Sequence, residues 1–340
     1  MTIFSPSWMK RTAIAVFCLF LSALFIRYQG LHLLTIILTG SNTVTKPQDL
    51  PATAVATIKE QHCNSPAPIK VLTYNVEYGS AALEKALTPF NNGHLDQHLP
   101  WSARMPTARE RIASHAPDLI GLQELGTDSD VGDIVPLNQY SLVSLHNGDL
   151  RYADAAILFK SSRFELLDSG QFWLSPTPDL PVALGYRTLS VLRYVNWAIL
   201  KDKNTGFSFL YANTHFDNAR ANKDPSATLF HNRISVLAKN LPVIATGDFN
   251  TRADTDRYQR LIGMSDGTDK QALLHNAYDL AGSPVVASDL LPNQRIDHIL
   301  AGGTCKIKAQ HWHIDTRPMA NGQPLSDHDA IVSELIFSPN

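Results

Sequence analysis

The stretch that most limits what this chain can fold into is Pro242-Val243-Ile244-Ala245-Thr246-Gly247-Asp248-Phe249-Asn250. An apolar run stops at a glycine and is followed by a carboxylate and an amide, the pattern of a buried strand that delivers polar groups to its carboxyl end. Residues two apart on an extended chain point the same way, so Asp248 and Asn250 face one neighbour while Phe249 packs behind them. One acceptor and one amide, side by side, suit a phosphoryl group and an attacking water. Taken alone, the stretch is equally well read as an Asp-Phe-Asn turn capping a core strand.

Similar stations recur in order: Thr73-Tyr74-Asn75, Gln123-Glu124, Asn213-Thr214-His215, Arg295-Ile296-Asp297-His298 and Ser326-Asp327-His328. The run from Lys70 to Val76 reads as a central strand ending at Asn75, and Asp118 to Glu124 as another. A carboxylate at the exit of a buried strand is costly unless paired, and a hard divalent cation is the partner that oxygen ligands favour. Phe207 to His215 pairs with Asn196 to Leu200 as a hairpin about Asn204-Thr205-Gly206, and ends on a histidine able to protonate a leaving oxygen. The plainer readings are a surface Glu124 and a satisfied core His215.

The order of these stations, from Ile69 to Phe337, resembles the endonuclease/exonuclease/phosphatase superfamily, which includes deoxyribonuclease I, apurinic endonucleases, inositol polyphosphate 5-phosphatases and bacterial sphingomyelinases. The resemblance implies a four-layer α/β sandwich, two face-to-face and mostly antiparallel sheets flanked by helices; periodicity alone says only mixed α and β. It also implies metal-dependent phosphoester hydrolysis by in-line attack of water. On that reading Glu124, with Asp327 and Asn75, holds magnesium or manganese, and Asp248 orients and deprotonates the water. Asn250 and His328 grip the phosphate oxygens, Asn75 and Asn213 stand beside the substrate, Asp297 pairs with His328, and His215 is the candidate acid. Which histidine gives up the proton stays open. Many relatives carry a Glu that orients a catalytic histidine. Asp154 stands one residue away from that place, and a one-residue shift turns a strand side chain to the other face. His298 reads as structural.

A formal net charge of -2 over 340 residues excludes the broad positive field of a duplex-gripping protein. A local basic cleft from Arg187, Arg193, Arg220, Lys223, Arg233 and Arg252 stays possible. The substrate expected is a lipid headgroup or small phosphoester, with DNA or RNA as the alternative. A reading of another class is a catalytically inactive, membrane-anchored binding protein.

Lys10 and Arg11 precede an apolar run from Thr12 to Ile26, so residues 1–40 read as a signal anchor that places a monomeric catalytic domain, residues 69–340, outside the cytoplasm. Residues 41–68, with Pro47, Pro51, Pro66 and Pro68, have the composition of a linker. Cys63 and Cys305 either pair, fastening that linker to the domain, or stand as two separate thiols. Helices are expected over Arg104–Ser114 and Phe230–Asn240, and a hairpin from Ala155–Lys160 and Arg163–Leu167.

Overall fold

The central strands are apolar on both faces, so each needs cover on two sides, and the architecture follows from that requirement. The computed structural model describes residues 63, 67–79, 99–147, 150–179, 185–186, 192–264, 273–285 and 294–339. The expected anchor and nearly all of the linker lie outside these residues. Among the described residues, no helix is long and apolar enough to cross a membrane.

Among the described residues, twelve strands form two sheets. The first contains β1 (Ile69–Gly79), β2 (Leu119–Leu125), β3 (Tyr140–Asn147), β4 (Leu150–Lys160), β11 (Lys306–Asp315) and β12 (Ala330–Ser338), in the order β11-β12-β1-β2-β4-β3. The second contains β5 (Phe164–Trp173), β6 (Tyr194–Asp202), β7 (Ser208–His215), β8 (Val243–Asp248), β9 (Leu274–Asn276) and β10 (Asp297–Gly302), in the order β5-β6-β7-β8-β10-β9. Each sheet has one parallel pair at its centre, β1 with β2 and β7 with β8, flanked by antiparallel neighbours.

Alternation along the strands separates three apolar layers. From β7, Phe209 and Tyr211 enter the space between the sheets and meet Val71, Leu119, Ile244 and Ile299. Leu210 and Ala212, pointing the other way, pack with Phe230 and Ile234 of α3 (Arg220–Ala238). On the first sheet, Leu72, Ile120 and Leu158 lie under Ile112 of α1 (Trp101–His115) and Val131 of α2 (Asp128–Ile134). Two short helices, α4 (Asp256–Ile262) and α5 (Ala277–Leu280), complete the second half. The result is the expected α/β sandwich.

Some local expectations change. β4 and β5 do not form a hairpin; they belong to different sheets, and the turn between them passes from one sheet to the other. Phe159 and Phe164 both sit in the layer between the sheets, one from each sheet. Arg163 fixes the crossing by donating to Asp118 Oδ2 at 2.7 Å, Asp202 Oδ2 at 3.0 Å and the Pro68 carbonyl at 2.9 Å. By contrast β6 and β7 pair as a hairpin, with Gly206 in a left-handed conformation at its turn. Helix α3 starts ten residues before Phe230 and runs through Pro225, which reads as a breaker in sequence. Asn222 secures its first turn by donating to Asp217 Oδ2 at 2.7 Å and accepting from the Tyr186 amide at 2.8 Å.

Cys63 is disulfide-bonded to Cys305, just past the end of β10, across 242 residues of sequence. Of the two readings of these cysteines, the structure takes the paired one. Replacing both by serine should lower stability to urea by about 2–4 kcal/mol, because the bond restricts the unfolded chain. Equal unfolding free energies for the two proteins under non-reducing conditions would show that the bond contributes nothing.

Candidate active site

Inward-facing positions change character along each central strand. In β8 the series is Ile244, Thr246, Asp248; in β7 it is Tyr211, Asn213, His215; in β1 it is Val71, Thr73, Asn75. Apolar core thus gives way to a polar layer and then to acid and base at one end of the sandwich. Register aligns the last members. His215 lies opposite Asp248 across the parallel β7–β8 pair, and Asp297 lies opposite Asp248 across β8–β10, so the three form one row. On the facing sheet Asn75 is level with Gln123, and Gln123 with Ala155.

The two rows meet at Asp248, a carboxylate only 2% exposed. Its Oδ2 lies 3.2 Å from Asn75 Nδ2, 3.4 Å from His215 Nε2 and 3.7 Å from His328 Nε2, while its Oδ1 accepts from the Asn250 amide at 2.8 Å. Each imidazole is held from behind by another carboxylate: His215 Nδ1 is 2.8 Å from Asp154 Oδ1, and His328 Nδ1 is 2.7 Å from Asp297 Oδ2. Such pairing orients the ring and leaves Nε2 facing the site.

The charges follow from this packing. Burial and the nearby Asp297 push the Asp248 pKa up, against the pull of the two histidines. Burial acts to lower His328, but Asp297, Asp248 and Asp327 outweigh it and raise its pKa to about 11, so the ring stays protonated at neutral pH. His215 is raised as well: burial and Arg193 oppose the charge, and Asp154 and Asp248 prevail.

Asp154 is a correction. Strand alternation put its side chain in doubt, yet its carboxylate reaches His215, pairs with the Arg193 guanidinium and accepts from the Glu124 amide at 2.9 Å. Glu124 adopts a left-handed backbone, φ 65°, between the ladder pairs Gln123–Ala155 and Leu125–Ala153. Its N–H goes to the Asp154 side chain, and that local departure from regular pleating explains why period-two reasoning failed here.

Asn75 and Asn213 also sit differently from expectation. Asn75 presents its nitrogen to Glu124 Oε1 at 3.1 Å and to Asp248 Oδ2, while its oxygen accepts from the Glu77 amide at 3.0 Å. In this arrangement it bridges two carboxylates as a donor instead of offering oxygen to a cation. Asn213 is fully buried, donating to the Leu122 and Ala156 carbonyls and accepting from Gln123 Nε2 and Thr246 Oγ1. It ties the sheets together and has no direct reach to a substrate. A Cβ at Gly121 would lie 2.2 Å from Thr246 Oγ1 and 2.5 Å from Asn213 Oδ1, so only glycine lets the sheets close over this polar layer.

The donor set fits a hard divalent ion. Asp248, Asp297 and His328 each bring one ligand atom within 4.8 Å of the others, and Asp297 Oδ1 is buried with no hydrogen-bond partner. Glu124 stands across Asn75 from this group, its Oε2 accepting from the Tyr78 amide at 3.0 Å. Asp327 lies at the rim, its side chain 56% exposed and 3.9 Å from His328 Nε2. Sequence reading missed Glu77, whose Oε2 accepts from the Asp327 amide at 3.2 Å, and the buried Arg104. Neither carries a local signal beyond its residue type.

His298 is structural, as read. Its Nε2–H donates to the Thr251 carbonyl at 2.7 Å and its Nδ1 accepts from Asn276 Nδ2 at 3.1 Å, which braces the turn after Asp248. Asn250 is anchored in that turn by a 2.9 Å bond from its Nδ2 to the Phe216 carbonyl.

The chain belongs to the Endonuclease/Exonuclease/phosphatase family, which residues 72–328 match. Among individual relatives, Protein angel of Drosophila melanogaster is 25% identical over 211 residues, 60% of this chain and 58% of that protein. The chain therefore spans less than two thirds of that curated relative. Among solved structures, the mannosyl-6-phosphatase of Bacteroides thetaiotaomicron superposes with a TM-score of 0.62 at 24% identity, covering 79% of this chain and 100% of that one. D. rerio TDP2, complexed with single strand DNA product, gives 0.54 at 16% identity, covering 79% and 98%.

Burial pushes the His298 pKa down to about 4, below its unfolded value of 6.5. The unfolded chain then binds the extra proton between these values, so stability is full above pH 6.5 and falls as pH drops towards 4. Wild type should lose about 3 kcal/mol over that window relative to His298→Gln, measured by urea unfolding. Parallel pH profiles for the two proteins would contradict the assignment.

Proposed function

We propose that this protein is a divalent-metal-dependent phosphoester hydrolase acting by in-line attack of water. The observation that carries the reading is the convergence of Asn75, His215 and His328 on one oxygen of buried Asp248. A carboxylate with a raised pKa is suited to take a proton from water, and two imidazoles at 3.4 Å and 3.7 Å set proton donors beside it. Asp248 is the base, and the Asn250 amide fixes its rotamer. His328, kept protonated by Asp297, donates to a phosphate oxygen. His215, oriented by Asp154, is placed to protonate the leaving oxygen. Glu124 and Asp327 would hold magnesium or manganese, which when bound screens phosphate charge and stabilises the leaving oxygen.

Small phosphoesters or lipid headgroups fit better than duplex nucleic acid. Four of the candidate cleft cations are engaged by carboxylates: Arg193 with Asp154, Arg220 with Asp224, Arg233 with Asp179 and Arg252 with Asp254. Arg187 lies outside the described residues. Lys223 has Asp224, Asp248 and Asp217 in its surroundings. The relatives' names span sugar phosphate and DNA product, and so support a phosphoester without choosing one.

Glu124→Ala, Asp248→Ala and His328→Ala should each reduce turnover of a chromogenic phosphodiester by about 100-fold or more with an unchanged circular dichroism spectrum, and EDTA should do the same to wild type. Near-normal turnover in any of the three, or activity indifferent to chelation, refutes these roles. A panel of supercoiled DNA, RNA, sphingomyelin and phosphoinositides separates the substrate classes; no cleavage of any would favour a binding protein.

The reading includes an extracytoplasmic domain on an amino-terminal anchor, supported by Lys10, Arg11 and the following apolar run, and by a disulfide of the kind that persists outside the cytosol. Cell fractionation should place the full chain with membranes, and recovery wholly in the cytosol would exclude the anchor.

A further inference from the structure

The halves of the site come from distant parts of the chain, and one buried cation joins them. Arg104 is 1% exposed and lies in the opening turn of α1. A positive side chain there opposes the helix macrodipole, and a guanidinium is costly to bury unless its donors are satisfied. Leucine or methionine would fill the same space without either cost. The four acceptors of Arg104 are backbone carbonyls: Leu99 from Nε at 2.7 Å, Val76 and Leu325 from Nη1 at 2.8 and 3.0 Å, and Glu77 from Nη2 at 2.5 Å.

Three of those carbonyls belong to two functional segments. Val76 and Glu77 follow Asn75, and Glu77 and Tyr78 turn the chain through left-handed conformations at φ 53° and 48°. The amides of this turn hold the Asn75 oxygen and the Glu124 carboxylate. Leu325 precedes the loop that carries Asp327 and His328. Ser326 Oγ donates to the Asn75 carbonyl at 2.8 Å across 251 residues of sequence, and accepts from the His328 amide at 3.1 Å. The Asp327 amide donates to Glu77 Oε2.

We propose that Arg104 is a positioning residue which, by bonding Val76, Glu77 and Leu325 at once, clamps the Ser326–His328 loop to the end of β1. It thereby sets His328 against Asp248. The role of His328 in hydrolysis rests on the function proposed above; the clamp itself does not. A planar fork is needed to reach carbonyls on both segments, and the compact ammonium of lysine cannot span them.

Hydrogen exchange tests the clamp without reference to activity. In wild type the Asp327 and His328 amides, though near the surface, should exchange about 100-fold more slowly than those of Ala320 and Asn321. Arg104→Lys, which keeps the charge, should accelerate exchange at Asp327 and His328 about 10-fold while β7 and β8 are unchanged, and lower kcat about 100-fold with KM altered less than about 3-fold. Fast exchange of the loop in wild type, equal loosening of β7 and β8 in the variant, or an unchanged kcat alongside a loosened loop would each overturn the proposal. If Arg104→Lys does not fold, the wild-type measurement decides. Selective loosening in a protein that turns over no phosphoester would sustain the clamp and remove the hydrolase reading.

Discussion

A buried carboxylate surrounded by donors is the interaction on which the rest of this structure depends. Asp248 sits at the end of β8 among Asn75, His215, His328 and the Asn250 amide. Removed from water, it is tolerable only while those groups stay in place. Each of them comes from a different segment. The sandwich is therefore more than a support: closing its two sheets is what brings Asn75 and His328 to Asp248, while His215 and the Asn250 amide come from its own sheet.

The polar layer beneath the site makes that closure specific. Apolar faces alone would let the sheets slide by a residue pair at modest cost, since Val, Ile and Leu offer no directional contacts. Asn213 removes that freedom by bonding across the gap to Gln123 and to the Leu122 and Ala156 carbonyls while Thr246 holds its oxygen, and Gly121 lets them meet. Satisfied buried amides of this kind tie register to the chemistry above them. A slip of the β7–β8 pair would separate His215 from Asp248 and orphan the amides as well.

Strained backbone marks the same place. Glu77, Tyr78, Glu124 and Asn250 all have positive φ, outside the region that non-glycine residues prefer. Three of their amides, those of Glu77, Tyr78 and Asn250, donate to side chains of the site, and the Glu124 amide donates to Asp154. Regular strand geometry would have spent those N–H groups on neighbouring strands. Local distortion releases them to orient carboxylates and an amide.

Strand-terminal residues such as Asn75, His215, Asp248, Asp297 and His328 are legible as an ordered set: each is ambiguous alone, and the family resemblance rests on their order along the chain. Local pattern along the chain is enough to mark the buried strands and the polar groups at their ends, since both depend on near neighbours in sequence. Which of those groups touch is set by the folded chain. It turned Asn75 into a donor, sent Asn213 into the gap between sheets, brought Asp154 to His215, and put β4 and β5 on opposite sheets. Each outcome rests on contacts between residues far apart in the chain, and alternation along a strand carries no information about the strand that will face it.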